Sequence, residues 1–208
     1  MRPIDLEQLI MLHIRNNSGF ETKRPYLGMS HLSDCPRKQY LDFMHGMAPN
    51  DIRHLGAFSG YTFEHIELNL LVQIGIIKPL LRRELVASFD PLLRGHIDAE
   101  TKDGDLVEIK SVSTRKFDLV CKTNRPLREH FEQVQAYMHF GNYRQTFIVY
   151  VCRETFQHKV FQIFYNPDVS KELEVKARLI LASILSRKPP VCICGKCSIP
   201  DSVREEEK

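Results

Sequence analysis

Gly95–Ser111 reads GHIDAETKDGDLVEIKS, two strand-forming runs around a turn. Asp98, Glu108 and Lys110 stand where a buried hairpin would carry apolar side chains. Alternation along a strand places Glu108 and Lys110 on one face and Ile109 on the other. The turn decides where Asp98 points. A two-residue Asp103-Gly104 loop pairs position 98 with 109 and sends Asp98 to the opposite face. A three-residue Lys102-Asp103-Gly104 loop, with Gly104 left-handed, pairs 98 with 108 and gathers all three charges. Glycine in the third place selects this second register. Two carboxylates facing each other about 5 Å apart repel unless a cation lies between them. Such oxygen ligands suit Mg2+ or Mn2+, and Lys110 beside them can orient or activate water and stabilise phosphate charge. A solvent-facing ion pair would use the same residues, so the hairpin alone leaves the choice open.

The surrounding chain has 208 residues, 43% of them hydrophobic and 26% charged, as an ordinary globular protein does. Its net charge of +3 announces no overwhelming basic field. Basic pairs at Lys23-Arg24, Arg37-Lys38, Arg82-Arg83 and Arg115-Lys116 allow a modest phosphate-binding surface, although such runs are commonly solvated faces. No apolar run reaches the ~18 residues of a membrane span. The amphipathic start MRPIDLEQLIMLHIRNN is not a signal peptide, so a cytoplasmic location without disulfides is expected. Cys121 and Cys152, in apolar or strand-like surroundings, read as core thiols.

Periodicity predicts helices over about 4–15, 35–46 and 52–74, the second capped by Ser33 or Asp34 with Pro36 in its first turn. The third carries an apolar stripe through Leu55, Phe58, Thr62, Ile66 and Leu70, which would turn His65 inward. Strands follow at 82–89, 93–100 and 105–112, then a helix at 127–142, two strands, and a helix at 168–186. This order defines an α/β or α+β domain with one central mixed sheet flanked by helices. Residues 1–200 are expected to form a single domain and 201–208 a flexible acidic tail.

The pattern Asp98-x9-Glu108-Ile109-Lys110, preceded by Gly95-His96-Ile97, resembles the PD-(D/E)xK nuclease superfamily, with Ile97 in place of the proline. HFEQVQAY holds Gln133 and Tyr137 one helical turn apart, similar to the Q-x-x-x-Y motif of its RecB-like branch. Cys35 near the start and Cys192, Cys194 and Cys197 near the end resemble the iron–sulfur members of that branch, namely the fourth Cas family of CRISPR adaptation and the AddB-type helicase–nucleases. The C-x-C-x-x-C spacing is more compact than is usual there.

The resemblance implies a restriction-endonuclease-like core whose N- and C-terminal helical parts, around 33–46 and 190–199, are stapled by a 4Fe-4S cluster on the four cysteines. Four thiolates suit tetrahedral Zn2+ as well. It further implies that His65, Asp98 and Glu108 hold Mg2+ or Mn2+ while Lys110 positions the attacking water. Gln133 and Tyr137 would contact DNA, with Arg37, Lys38 and Lys116 on phosphates; Glu84 matches an acidic position of some relatives. The implied activity is exonucleolytic hydrolysis of single-stranded DNA, often from the 5′ end. With no helicase motif in the chain, an integrase, helicase or recombination partner would be a separate protein, and oligomers are compatible with the family. Two other readings use the same residues: an idle nucleic-acid-binding or assembly subunit, and a zinc-stapled interaction module.

Overall fold

The structure, a computed structural model, describes residues 3–19, 23–47, 51–78, 83–195 and 197. The tail at 201–208 and Arg82 lie outside them. The N-terminal part comprises helix α1 (Pro3–Asn17), a short strand β1 (Leu27–Gly28), a 3-10 turn (Met29–His31), α2 (Pro36–His45) and α3 (Asp51–Gln73). Strands β2 (Arg83–Val86), β3 (Leu93–Ile97), β4 (Ala99–Glu100) and β5 (Leu106–Val112) precede α4 (Thr114–Thr123) and α5 (Arg128–Gly141). Strands β6 (Gln145–Cys152) and β7 (His158–Phe164) and helix α6 (Pro167–Ser186) complete the order. Among the described residues no helix is long and apolar enough to cross a membrane.

The strands form two sheets where one was expected, in the orders β1-β3-β2 and β4-β5-β6-β7. The segment running from Leu93 to Glu100 serves both. Up to Ile97 it pairs with β2, and from Ala99 it pairs with β5. Asp98 sits at the changeover. The β4–β5 register matches Ala99 with Val107 and Glu100 with Leu106, which places 98 opposite 108. Gly104 takes φ +90°, closing the three-residue loop predicted from its position.

Strands β5 and β6 are parallel and need a crossover, which α4 and α5 supply. Helix α4 was not expected from the sequence. Its signals are Ser113 at the N-cap, Phe117 and Val120 buried at helical spacing, and Asn124 left-handed at φ 49° after the last turn. Cys121, expected in the core, is exposed on this helix, whereas Cys152 is buried as expected.

Along β5, Leu106 and Val112 belong to the large core beneath α5 and α6, while Val107 and Ile109 join Leu68, Ile77, Ala99 and Val149 on the other face. Glu108 and Lys110 therefore share the face of α5, as the alternation requires. Helix α3 covers the opposite face with Leu68, Leu71 and Val72. The stripe expected to face inward does not: Leu55, Ile66 and Leu70 are 40–44% exposed. The inward face lies about two residues, roughly half a turn, around the helix.

Buried polar groups fix the remaining layers. Gln135 on α5 donates to Phe164 O at 2.9 Å and accepts from Asn166 N at 2.7 Å, holding α5 to the β7–α6 junction. Glu67 on α3 meets His158 of β7 at 2.9 Å. At the surface, Arg15 of α1 forks onto Asp51 at 2.8 and 3.0 Å, between α1 and the start of α3.

Gly95 permits a close approach. A Cβ there would lie 2.7 Å from Tyr137 Cε1 and 2.9 Å from Met29 Sδ, both on buried side chains. Overpacking of this kind costs about 1–3 kcal/mol. Gly95→Ala should therefore lower the urea midpoint by a corresponding amount. An unchanged midpoint would show that the contact can relax freely.

Candidate active site

The bend at Asp98 opens a cleft of about 900 Å³ between the two sheets and the N-terminal half of α3. Its floor carries Asp98, Glu108, Lys110, Gln133 and Tyr137, and Glu64 reaches in from α3. Glu108 is 2% exposed and forms an ion pair with Lys110 Nζ at 2.6 Å. Its Oε1 also accepts from Gln133 Nε2 at 2.7 Å, and Gln133 reaches the Tyr137 hydroxyl at 3.1 Å. Asp98 Oδ2 accepts from the Ile109 N–H at 2.7 Å, across the hairpin. Glu108 Oε2 is buried without a hydrogen-bond partner.

Three carboxylates thus surround one ammonium. Burial, then the Glu108 and Glu64 charges, push Asp98 well above the usual carboxylate range, against the pull of Lys110 and the Ile109 N–H. Burial raises Glu108 as well, although Lys110 and Gln133 oppose it. Burial alone would lower Lys110, but Glu108, Asp98 and Glu64 outweigh it and hold the amine charged. Burial, with Lys110 and Lys116 nearby, drops His130 to about 3, so its imidazole is neutral and bonds the Tyr150 hydroxyl at 2.8 Å. Burial raises Tyr137, and the two carboxylates add to this, so its hydroxyl keeps its proton.

This donor set fits divalent cations. Asp98, Glu108 and Glu64 line one cleft, their charge exceeds the single lysine, and a buried carboxylate oxygen lacks a donor. Leaving such an oxygen unmet costs about 1–3 kcal/mol. The α3 carboxylate that lines the cleft is Glu64, and the expected His65 does not line it. His65 is exposed and packs edge-on against Tyr61, with ring centroids 4.4 Å apart. The physical reason is the stripe correction above: Glu64 and His65 stand about 100° apart on the helix, and a stripe misplaced by about half a turn selects the wrong one. Reading the stripe as Ala57, Gly60, Glu64, Leu68 and Leu71 would have found Glu64.

The expected DNA contacts divide. Gln133 and Tyr137 line the cleft, but their hydrogen bonds hold Glu108. Arg37 and Lys38 do not line it. Arg37 Nη1 donates to Pro190 O at 3.2 Å, and Lys38 pairs with Asp34 at 2.7 Å and Asp42 at 3.2 Å. Lys116 lies outside the cleft on α4, 3.8 Å from Glu129. The cations that line it are Lys110, Arg24 and Arg94, with His31, His96 and His130 beside them. Alternation could have revealed Arg94 and His96, which share the parity of Asp98 along one strand segment. Glu84 also lines the cleft, 3.5 Å from Arg94 and 3.6 Å from His96.

Away from the cleft, the Sγ atoms of Cys35, Cys192, Cys194 and Cys197 all lie within 4.8 Å of one another, as their spacing had suggested. Cys35, rather than Ser33 or Asp34, is the N-cap of α2.

No family model and no curated protein matches the chain. Solved structures match in fold. An alkaline exonuclease (LHK-Exo) of Laribacter hongkongensis gives a TM-score of 0.63 at 16% identity, covering 78% of this chain and 89% of that one. LHK-Exo in complex with dAMP gives 0.64 at 16% identity with the same coverage. The protein SSO0001 gives 0.53 at 18% identity, covering 92% and 93%. The mixed α/β, restriction-endonuclease-like core is thereby shown.

The raised Asp98 has a defined linkage. A carboxyl raised on folding contributes stability that is full at acid pH and lost as pH rises through its folded pKa. Asp98→Asn keeps an acceptor for Ile109 and removes this loss. In EDTA, the urea midpoint of Asp98→Asn should exceed wild type increasingly from about pH 4 to about pH 8. Parallel curves for the two proteins would contradict the carboxylate crowding.

Proposed function

We propose that the protein is a divalent-metal-dependent deoxyribonuclease of the PD-(D/E)xK type. It acts as an exonuclease on single-stranded DNA, with the 5′ end as its starting point. The observation that carries this reading is the Asp98–Glu108 pair with Lys110 on one face of a bent hairpin, crowded with negative charge at the floor of an open cleft. The exonuclease named among the fold's solved structures, including one with dAMP, supports the substrate class.

Mg2+ or Mn2+, when bound, supplies positive charge to a scissile phosphate and lowers the pKa of a water nucleophile. Asp98, Glu108 and Glu64 would hold the cations. Gln133 fixes the orientation of Glu108 by donating to Oε1, and Oε2, which has no protein donor, would be available to a cation. Tyr137 anchors Gln133 in turn. Lys110 stays protonated between Glu108 and Asp98, where it orients the attacking water and offsets charge growing on the phosphate. Arg24 and Arg94 give the cleft wall its phosphate contacts.

Digestion of end-labelled single strands with Mg2+ or Mn2+ tests this reading. Glu108→Gln and Lys110→Ala should each lower the rate at least about 100-fold. Glu64→Gln should lower it about tenfold or more, while His65→Ala stays within about twofold of wild type. A Lys110→Ala protein as fast as wild type would overturn the assignment. A wild-type protein that binds strands but cleaves none would favour the idle binding subunit.

A further inference from the structure

We infer that the four-cysteine site holds a single tetrahedral Zn2+ ion rather than the four-iron cluster that the resemblance implies. The size of the thiolate set is the basis. All four Sγ atoms lie within 4.8 Å of one another, with Cys192–Cys194 at 3.6 Å and Cys194–Cys197 at 3.3 Å. One zinc ion with Zn–S bonds of about 2.3 Å sets the edges of its sulfur tetrahedron at about 3.8 Å. A cubane puts each thiolate on a different iron, and adding the iron–iron separation spreads the sulfurs to about 6 Å. Every edge of the observed set is too short for that.

The backbone points the same way. C-x-C-x-x-C folds back on itself at Gly195, which takes φ +67°, and so gathers three sulfurs within a single turn. Cys35 approaches from the N-terminal end of α2, whose dipole favours the thiolate. Two hydrogen bonds brace the chain ends beside the thiolates. Arg37 donates to Pro190 O at 3.2 Å and Lys176 to Leu32 O at 2.7 Å, so the donors converge on a preset small volume.

The test is metal and sulfide analysis of the full chain, purified anaerobically from iron-replete cells and challenged with iron and sulfide in vitro. The expected protein is colourless and keeps about one zinc and no labile sulfide per chain. After replacement by Co2+ it shows the visible bands of tetrahedral thiolate cobalt, and Cys194→Ser loses them together with the zinc. About four irons with matching sulfide and a brown band near 400 nm would overturn the inference. So would a native protein without metal whose four thiols all titrate.

Discussion

Glu108 is the group on which the rest of the site depends. A carboxylate that is 2% exposed must have its charge met locally, because water cannot do it. Lys110 and Gln133 meet one oxygen, while the second has no donor, and the Glu64 charge adds to the cost of burial. The same crowding raises Asp98, which holds a proton more readily than a free carboxyl does. Under the proposed function a divalent cation would offset this crowding without neutralising the carboxylates. The arrangement that strains the bare fold is the one on which the proposed metal site rests.

Two features of the backbone place that carboxylate. The parallel β5–β6 pair buries Glu108 on the side of α5, where Gln133 can reach it. The change of pairing partner at Asp98 then turns the incoming strand away from the second sheet, so the cleft opens beside the acidic pair. Gly95 allows Tyr137 and Met29 to pack onto that strand just before it turns. The hairpin loop is short because register matters here: a slip of one residue would send Asp98 to the face of Ile109.

Much of this was legible because it rests on local rules. Gly104 in the third loop position gave the register, period-two alternation gave the shared face, and the family resemblance implied the set of four cysteines that the fold brings together. What was missed depends on tertiary context. Helix α3 has apolar residues most of the way round, so Leu55, Ile66 and Leu70 competed with Leu68 and Leu71 for the inward face, and the wrong choice selected His65 over Glu64. The split into two sheets was invisible because no residue marks a change of partner strand. Arg37 and Lys38 looked like phosphate ligands, yet their partners are the Pro190 carbonyl and two carboxylates of the same helical region.

These two cations show how the distant thiolate site bears on the cleft. Arg37 and the cysteines hold the C-terminal segment against α2, and Lys176 of α6 caps Leu32 just before it. The 3-10 turn leading to α2 contributes Ser30, His31 and Asp34 to the cleft wall, opposite Glu64 of α3. That wall belongs to neither sheet apart from the short β1 pairing with Leu93 and Arg94. A two-residue strand fixes little on its own. Tying Cys35 to the far end of the chain restrains a loop of more than 150 residues, and closing so long a loop removes most from the freedom of the segment at its mouth. A metal held there would act on the cleft through position, helping to set where the wall stands relative to carboxylates that the sheet has already fixed.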